Sequence, residues 1–211
     1  MSDTEETEYL SLNSSFSNIK KDDKILSIQK EENTPIKAIE IISDLLNNIC
    51  EGNKDKLSKT NSKIKPFMTL NIPTMTIKDF LLRISKYTKI NESTLIIILI
   101  YIDRICKINN FQLNFKNIYK LIISSMIIAI KYNEDYFYST EVYAKLGGVT
   151  VQELNFLEIQ FLSLIKFSLF VEKNLYDKYY DNLISFNEDN KSEDDEDYES
   201  ENDESNDDND N

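Results

Sequence analysis

Histidine is missing from this 211-residue chain; glycine and proline occur three times each, cysteine and arginine only twice. Without imidazole, the chain lacks the commonest general base and metal ligand, and every nucleophilic triad that needs one. Three glycines leave no GxGxxG or GxxxxGK[ST] run, so no phosphate-cradling loop is expected. Cys50 and Cys106 are too few and too far apart in sequence for a disulfide framework or a zinc site. No apolar run approaches the roughly 20 residues that a membrane helix needs. No signal peptide is recognisable, so a reducing compartment, cytoplasm or nucleus, is the expected location. These absences predict no catalytic residue, no cofactor and no metal site. The chain reads as a non-enzyme.

The formal charge is −13, and all of it resides in one place. Residues 187–211 hold fourteen Asp or Glu and one Lys, whereas residues 1–186 hold 23 acidic and 23 basic residues. A neutral body with a polyanionic end is poorly suited to a phosphate backbone, so no nucleic-acid partner is expected. Nor is a membrane partner or an obligate homo-oligomer. Among the basic residues, 22 are Lys and only Arg83 and Arg104 are Arg, within an Ile-, Lys- and Asn-rich composition that suggests a strongly biased genome. An arginine fork holds a carboxylate through two bonds where lysine offers a point charge, so these two positions merit notice; chance is the competing reading.

Residues 1–33 are polar and thinly apolar and are expected to be disordered. Thr34-Pro35 then opens a helix, with Ile39, Ile42, Leu46 and Ile49 at helical spacing, Ile41 and Leu45 widening the stripe, and Gly52 at its end. Residues 53–66 read as a linker. A helix from near Thr76, with Asp79 at capping distance, shows Ile77, Phe80, Leu81, Ile84 and Tyr87 on one face. The next, capped at Asn91 or Ser93, contains eight consecutive apolar residues from Leu95 to Ile102 and continues to about Lys107. A helix apolar on all sides is expected to be the central rod. Helices over about 114–132, 139–146 and 151–166 follow, then a short one near 174–183. The segment 187–211 is expected to be a disordered acidic tail. Its Ser192, Ser200 and Ser205 precede acidic residues, a weak pattern for an acid-directed kinase. No alternating period is long enough for a sheet. The chain is expected to be all-α, with one folded domain over 34–183.

Three stretches stand out. Gly147-Gly148 stops one helix at a left-handed cap, and Thr150, three residues before Glu153, opens the next. On that next helix Leu154, Leu157, Phe161 and Leu164 form an inward stripe, with Glu158, Leu162 and Ile165 beside it. Periodicity reads Glu158 as an ordinary solvated glutamate or as a register-setting charge at the rim of a recognition face. Lys131 ends the apolar run Met126–Ile130, where a lysine normally meets the helix dipole. Asp103 interrupts the most hydrophobic helix and requires a partner; Arg83, Arg104 and Lys131 are the candidates.

Tyr143–Glu158, with Tyr101-Ile-Asp-Arg104 and Ala129-Ile-Lys131, resembles the cyclin box, specifically that of the phosphate-pathway (P- or U-type) cyclins of yeast, plants and protists. The similarity runs from about Ile36 to Leu183. It implies a single five-helix box with an additional N-terminal helix and a short C-terminal helix, from a protist with a biased genome. It further implies a regulatory subunit that binds and activates a cyclin-dependent serine/threonine kinase by holding the kinase's C-helix in its active position. On that resemblance Lys131 and Glu158 bond the backbone at the kinase C-helix, with Tyr132, Leu162 and Phe167 as apolar contacts. Asp103 matches a buried, fold-supporting aspartate, with Arg104, Gly147 and Gly148 as structural companions. The arginine–aliphatic motif of mitotic cyclins is absent, which puts their mode of substrate recruitment in doubt here. Two other readings compete: a cyclin-fold nucleic-acid binder, disfavoured by the neutral body and single box, and a helical adaptor or chaperone whose acidic tail binds basic proteins.

Overall fold

The computed structural model describes residues 34–54, 62–88 and 90–200, so the expected disorder of 1–33 and of 201–211 lies outside the described residues. Within them are seven α-helices and no strand: α1 Thr34–Gly52, α2 Ile77–Thr88, α3 Glu92–Asn109, α4 Ile118–Asn133, α5 Thr140–Gly147, α6 Val151–Leu164 and α7 Lys173–Ser200. The all-α expectation is met, with α1 the additional N-terminal helix before a five-helix set.

α3 is the rod around which the others are arranged, touching α1, α4, α6 and α7. Leu95, Ile96, Ile98 to Ile102 and Ile105 are all buried, which explains why its sequence shows no polar face. Asn91 caps it by accepting from the Thr94 N–H at 2.8 Å, and Asn110 ends it in a left-handed turn at φ 49°. α4 lies against α3, α5 and α6. Its Ser124, Ser125 and Ala129 are buried, and both hydroxyls donate back to the carbonyls of Lys120 and Leu121, at 2.6 and 2.7 Å. Small residues admit close neighbours, and the back-bonds remove the cost of burying a hydroxyl.

α1 is integral to the core. Ile39, Ile42, Leu45, Leu46 and Cys50 are buried against α2, α3 and α7, each large side chain contributing roughly 1.5–3 kcal/mol. At α2 the cap is as expected: the Asp79 N–H donates to Thr76 at 3.0 Å and the Thr76 hydroxyl returns to the Asp79 carboxylate at 2.8 Å. Tyr87, expected on the inner face, is exposed instead. It falls one turn beyond Ile84, in the last turn of α2.

Two further departures concern connections and ends. The stretch 53–66 is not wholly a linker: Ile64 and Phe67 are buried around a 3-10 turn at Lys65–Phe67, with Phe67 edge-on to Phe161 at 6.2 Å. Nor is the last helix short. α7 runs 28 residues, through the first part of the acidic segment, because no glycine or proline interrupts Lys173–Ser200.

Candidate functional site: the Lys131–Glu158 face

The last turn of α4 and the middle of α6 meet at one ion pair. Lys131 Nζ donates to Glu158 Oε1 at 2.7 Å and to Oε2 at 2.9 Å. The lysine side chain is 34% exposed and the glutamate 16%, so the pair stands at the rim of the core. Each partner is set there by its own helix. Ile127, Ile128 and Ile130 are buried on α4 and leave Lys131 at the boundary; Leu154, Leu157 and Phe161 do the same for Glu158 on α6. The second stripe expected on α6 divides: Leu162 is half-buried, whereas Ile165 is wholly buried and belongs to the core. Ile165 lies one residue past α6, as its C-cap, with its N–H donating to the carbonyls of Phe161 and Ser163.

The corner before α6 fixes the angle of that helix. Thr150 accepts from the Glu153 N–H at 3.1 Å, and Glu153 pairs with Lys120 of α4 at 2.8 Å, a second tie between the two helices. The adjacent glycines have separate duties. Gly148 takes the left-handed conformation at φ 68°, while a Cβ on Gly147 would sit 2.7 Å from Ile123 Cγ1 of α4. Arg83 of α2 closes the corner by donating to the carbonyl of Leu146.

Beyond α6 the chain turns sharply. Lys166 and Phe167 both have φ 54°, a region that non-glycine residues seldom enter. The result is an outward Phe167, 71% exposed. The motif Tyr101-Ile-Asp-Arg104 on α3 underlies this segment: the Tyr101 hydroxyl donates to Leu169 O at 2.7 Å, and Arg104 donates to the carbonyls of Ser168 and Phe170. Arg104 therefore holds backbone, and is not the partner of Asp103. Nor are Arg83 and Lys131. Buried Asp103 is paired with Lys107, one turn on, and accepts from Tyr179 of α7. A lysine one turn away and a tyrosine brought in by the last helix satisfy the carboxylate without either arginine.

The structure thus gathers Lys131, Tyr132, Glu158 and Leu162 on adjoining elements, and places Phe167 on the strained turn that follows α6. Tyr132 is 52% exposed. Sequence reasoning missed three exposed apolar side chains: Phe156 and Ile159, two residues before and one after Glu158 on α6, and Phe170. Their signal was apolar character off the inward stripe. A fixed charge pair on helices that also expose Tyr132, Phe156 and Ile159 suits recognition of another protein: area for affinity, charge for register. Among the described residues no group of His, Cys, Asp or Glu is arranged to hold a metal ion.

Comparison with known proteins gives a consistent result. Residues 9–169 match the family model described as Cyclin. Cyclin-U2-1 of Arabidopsis thaliana is 35% identical over 157 residues, covering 72% of this chain and 70% of the plant protein. PHO85 cyclin-7 of Saccharomyces cerevisiae is 33% identical over 177 residues, 78% of this chain and 61% of the yeast protein. PHO85 cyclin-like protein psl1 of Schizosaccharomyces pombe is 32% identical over 164 residues, 71% of this chain and 68% of the other.

Proposed function

Since the chain belongs to the cyclin family, the non-catalytic regulatory subunits of cyclin-dependent protein kinases, we propose that the Lys131–Glu158 face is the surface that engages the kinase. Its target is the C-helix of the kinase, held in the active position. A kinase without its regulatory subunit leaves the C-helix glutamate away from the catalytic lysine. A rigid surface that binds only the inward arrangement draws the population toward it, by as much as its differential affinity allows. The Lys131 ammonium offers donors and the Glu158 carboxylate offers acceptors to exposed backbone groups at the C-helix, while Tyr132, Leu162 and Phe167 supply apolar area.

One observation carries this reading: an ion pair through both carboxylate oxygens between two helices, at the rim of the core, on helices that also expose Tyr132, Phe156 and Ile159. The strained turn supports it. A left-handed Phe167 costs on the order of 1–3 kcal/mol, a cost that Tyr101 and Arg104 sustain by gripping the turn from below. Strain maintained in order to expose a phenylalanine fits a ring that is buried only in a complex.

The test is co-purification from native cells with identification of the bound protein. A kinase catalytic subunit is expected, retained by the wild-type chain and lost with Lys131→Glu. Retention of basic proteins through residues 187–211, with no kinase, would replace this reading by the adaptor one.

A further inference from the structure

One turn beyond Lys131, the end of α4 borders a cavity of about 390 Å³. Its aromatic lining comes from Tyr143 of α5 and from Tyr136, Phe137 and Tyr138 of the loop that joins α4 to α5. One carboxylate, that of Glu134, shares the space with these rings. Both parts of the lining are held in place. Tyr143 is buried, its hydroxyl accepts from the Tyr138 N–H at 3.1 Å, and the two rings meet edge-on at 6.5 Å. Glu134 Oε1 accepts from Asn91 Nδ2 at 2.8 Å and from the Thr94 hydroxyl, at the start of α3. Among the described residues no donor reaches its Oε2.

Rings around a fixed carboxylate favour a positive charge, which gains from the ring quadrupoles and from Glu134 together. Which cation follows from the donors it must satisfy. A primary ammonium brings three N–H groups and a guanidinium five, and each one turned toward a ring without an acceptor is costly. Acceptors here are already engaged, Glu134 Oε1 twice over and the Tyr143 hydroxyl once. A fully N-methylated ammonium has no donor to satisfy. Its methyl groups lie against rings, and its charge needs only a carboxylate nearby.

We propose that this cavity binds a free small molecule with a quaternary ammonium head, of about the size of choline. The proposal stands apart from the kinase-binding reading above. The volume lies at the small end of ligand pockets and takes such a molecule whole. A methylated lysine on a protein carries the same head, but its backbone needs a surface to run along. Among the described residues no strand offers an edge for one. Tyr136 and Phe137 are 92% and 56% exposed, ring area that a compact ligand covers.

Titrating choline into the full chain, followed by amide resonances, tests this. Choline is expected to move the resonances of Tyr136 to Tyr138. Two relatives should each bind roughly tenfold more weakly: the neutral isostere, with a tert-butyl group in place of the head, and ethanolamine, which lacks the methyl groups. Glu134→Gln keeps an oxygen for Asn91 and Thr94 but removes the charge, and should bring choline and its neutral isostere close to parity. Phe137→Leu keeps apolar bulk and removes one ring, so a several-fold loss is expected for choline alone. The ligand comparisons use the wild-type chain and hold whether or not either variant folds. No movement at tens of millimolar choline would overturn the proposal. So would equal binding of the neutral isostere, which would make the cavity merely apolar. Equal binding of ethanolamine would also overturn it, since the site would then take ammonium in general. A trimethyl-lysine peptide that outbinds choline by about tenfold or more would assign the site to a protein partner and overturn the free ligand. No kinase is present in these titrations, so their failure and that of the kinase reading are told apart.

Discussion

Glu158 on α6 accepts from the Lys131 ammonium on α4 through both carboxylate oxygens, at 2.7 and 2.9 Å, across 27 positions of sequence. The pair is only partly solvated, the lysine side chain 34% exposed and the glutamate 16%, and desolvation offsets most of its attraction, leaving about 0–1 kcal/mol of stability. Its geometry is nevertheless tighter than stability requires, and that contrast separates a structural role from a recognition role experimentally.

Glu158→Lys and Lys131→Glu are each expected to abolish kinase binding while leaving helicity and Tm nearly unchanged. Each reversal leaves a like or unmatched charge at a desolvated interface, costing on the order of 2–5 kcal/mol, tenfold to thousands-fold in affinity. The double reversal restores the internal ion pair but presents it backwards. If the pair serves only the fold, the double variant recovers binding; if it addresses the kinase, binding stays lost. Calorimetric or surface-binding affinity with the purified kinase decides.

Asp103→Ala is expected to reduce stability by roughly 3–5 kcal/mol, because it removes the buried carboxylate that pairs with Lys107 and accepts from the Tyr179 hydroxyl. Tyr179→Phe removes only the hydroxyl and should cost less, about 1–2 kcal/mol. Urea melts of the two variants give the ordering. Kinase affinity per folded molecule should stay near wild type in both, since Asp103 is buried and lies on α3, away from Lys131 and Glu158. A stable Asp103→Ala protein that fails to bind would refute the assignment.

The pH dependence of stability should carry a mark of burial. Burial, helped by the neighbouring Glu51, pushes the Cys50 thiol up to about 12; burial and then Glu92 push the Tyr176 phenol to about 12 as well. Both groups hold their protons more tightly when folded. The stability this confers is complete below the unfolded pKa values, near 8.5 for the thiol and 10 for the phenol, and is lost as pH rises toward 12. Urea melts between pH 8 and pH 11 should show a steady decline that Cys50→Ala makes shallower. Thiol labelling of the folded protein at pH 8 should proceed only at the rate of opening.

Local chemistry was legible in the sequence and long-range partnership was not. Thr76 with Asp79, Asn91, and Thr150 with Glu153 all marked helix starts, because a cap is settled within four residues. The buried faces of α1, α4 and α6 followed from 3.6-residue spacing. Asp103 was recognisable as buried and needing a partner, yet Tyr179 stands 76 residues away and no local rule reaches it. Ile64 and Phe67 were obscured by surrounding lysines and serines, although both are buried. At the candidate site, Lys131 and Glu158 were identified through family likeness, since periodicity reads each as an ordinary surface charge.

The two glycines of the α5–α6 corner should fail for different reasons. Gly148→Ala forces a Cβ into the left-handed region at φ 68°, a conformational cost of roughly 1–2 kcal/mol that no neighbour can relieve, as open space surrounds it. Gly147→Ala has no such backbone conflict. Its Cβ instead meets Ile123 Cγ1 at 2.7 Å, with two more Ile123 atoms within 3.4 Å, so α5 and α4 must separate or Ile123 must turn into a less favoured rotamer. The expected cost is about 1–3 kcal/mol, and it is a property of the pair. Ile123→Ala alone destabilises by leaving a void, but combined with Gly147→Ala it makes room for the new methyl. A double-mutant cycle should therefore show the Gly147→Ala penalty largely vanishing in the Ile123→Ala background, while the Gly148→Ala penalty persists there unchanged. Equal rescue of both glycine variants would show that the corner is limited by general looseness between helices. Rescue of neither would place the conflict in the backbone at both positions.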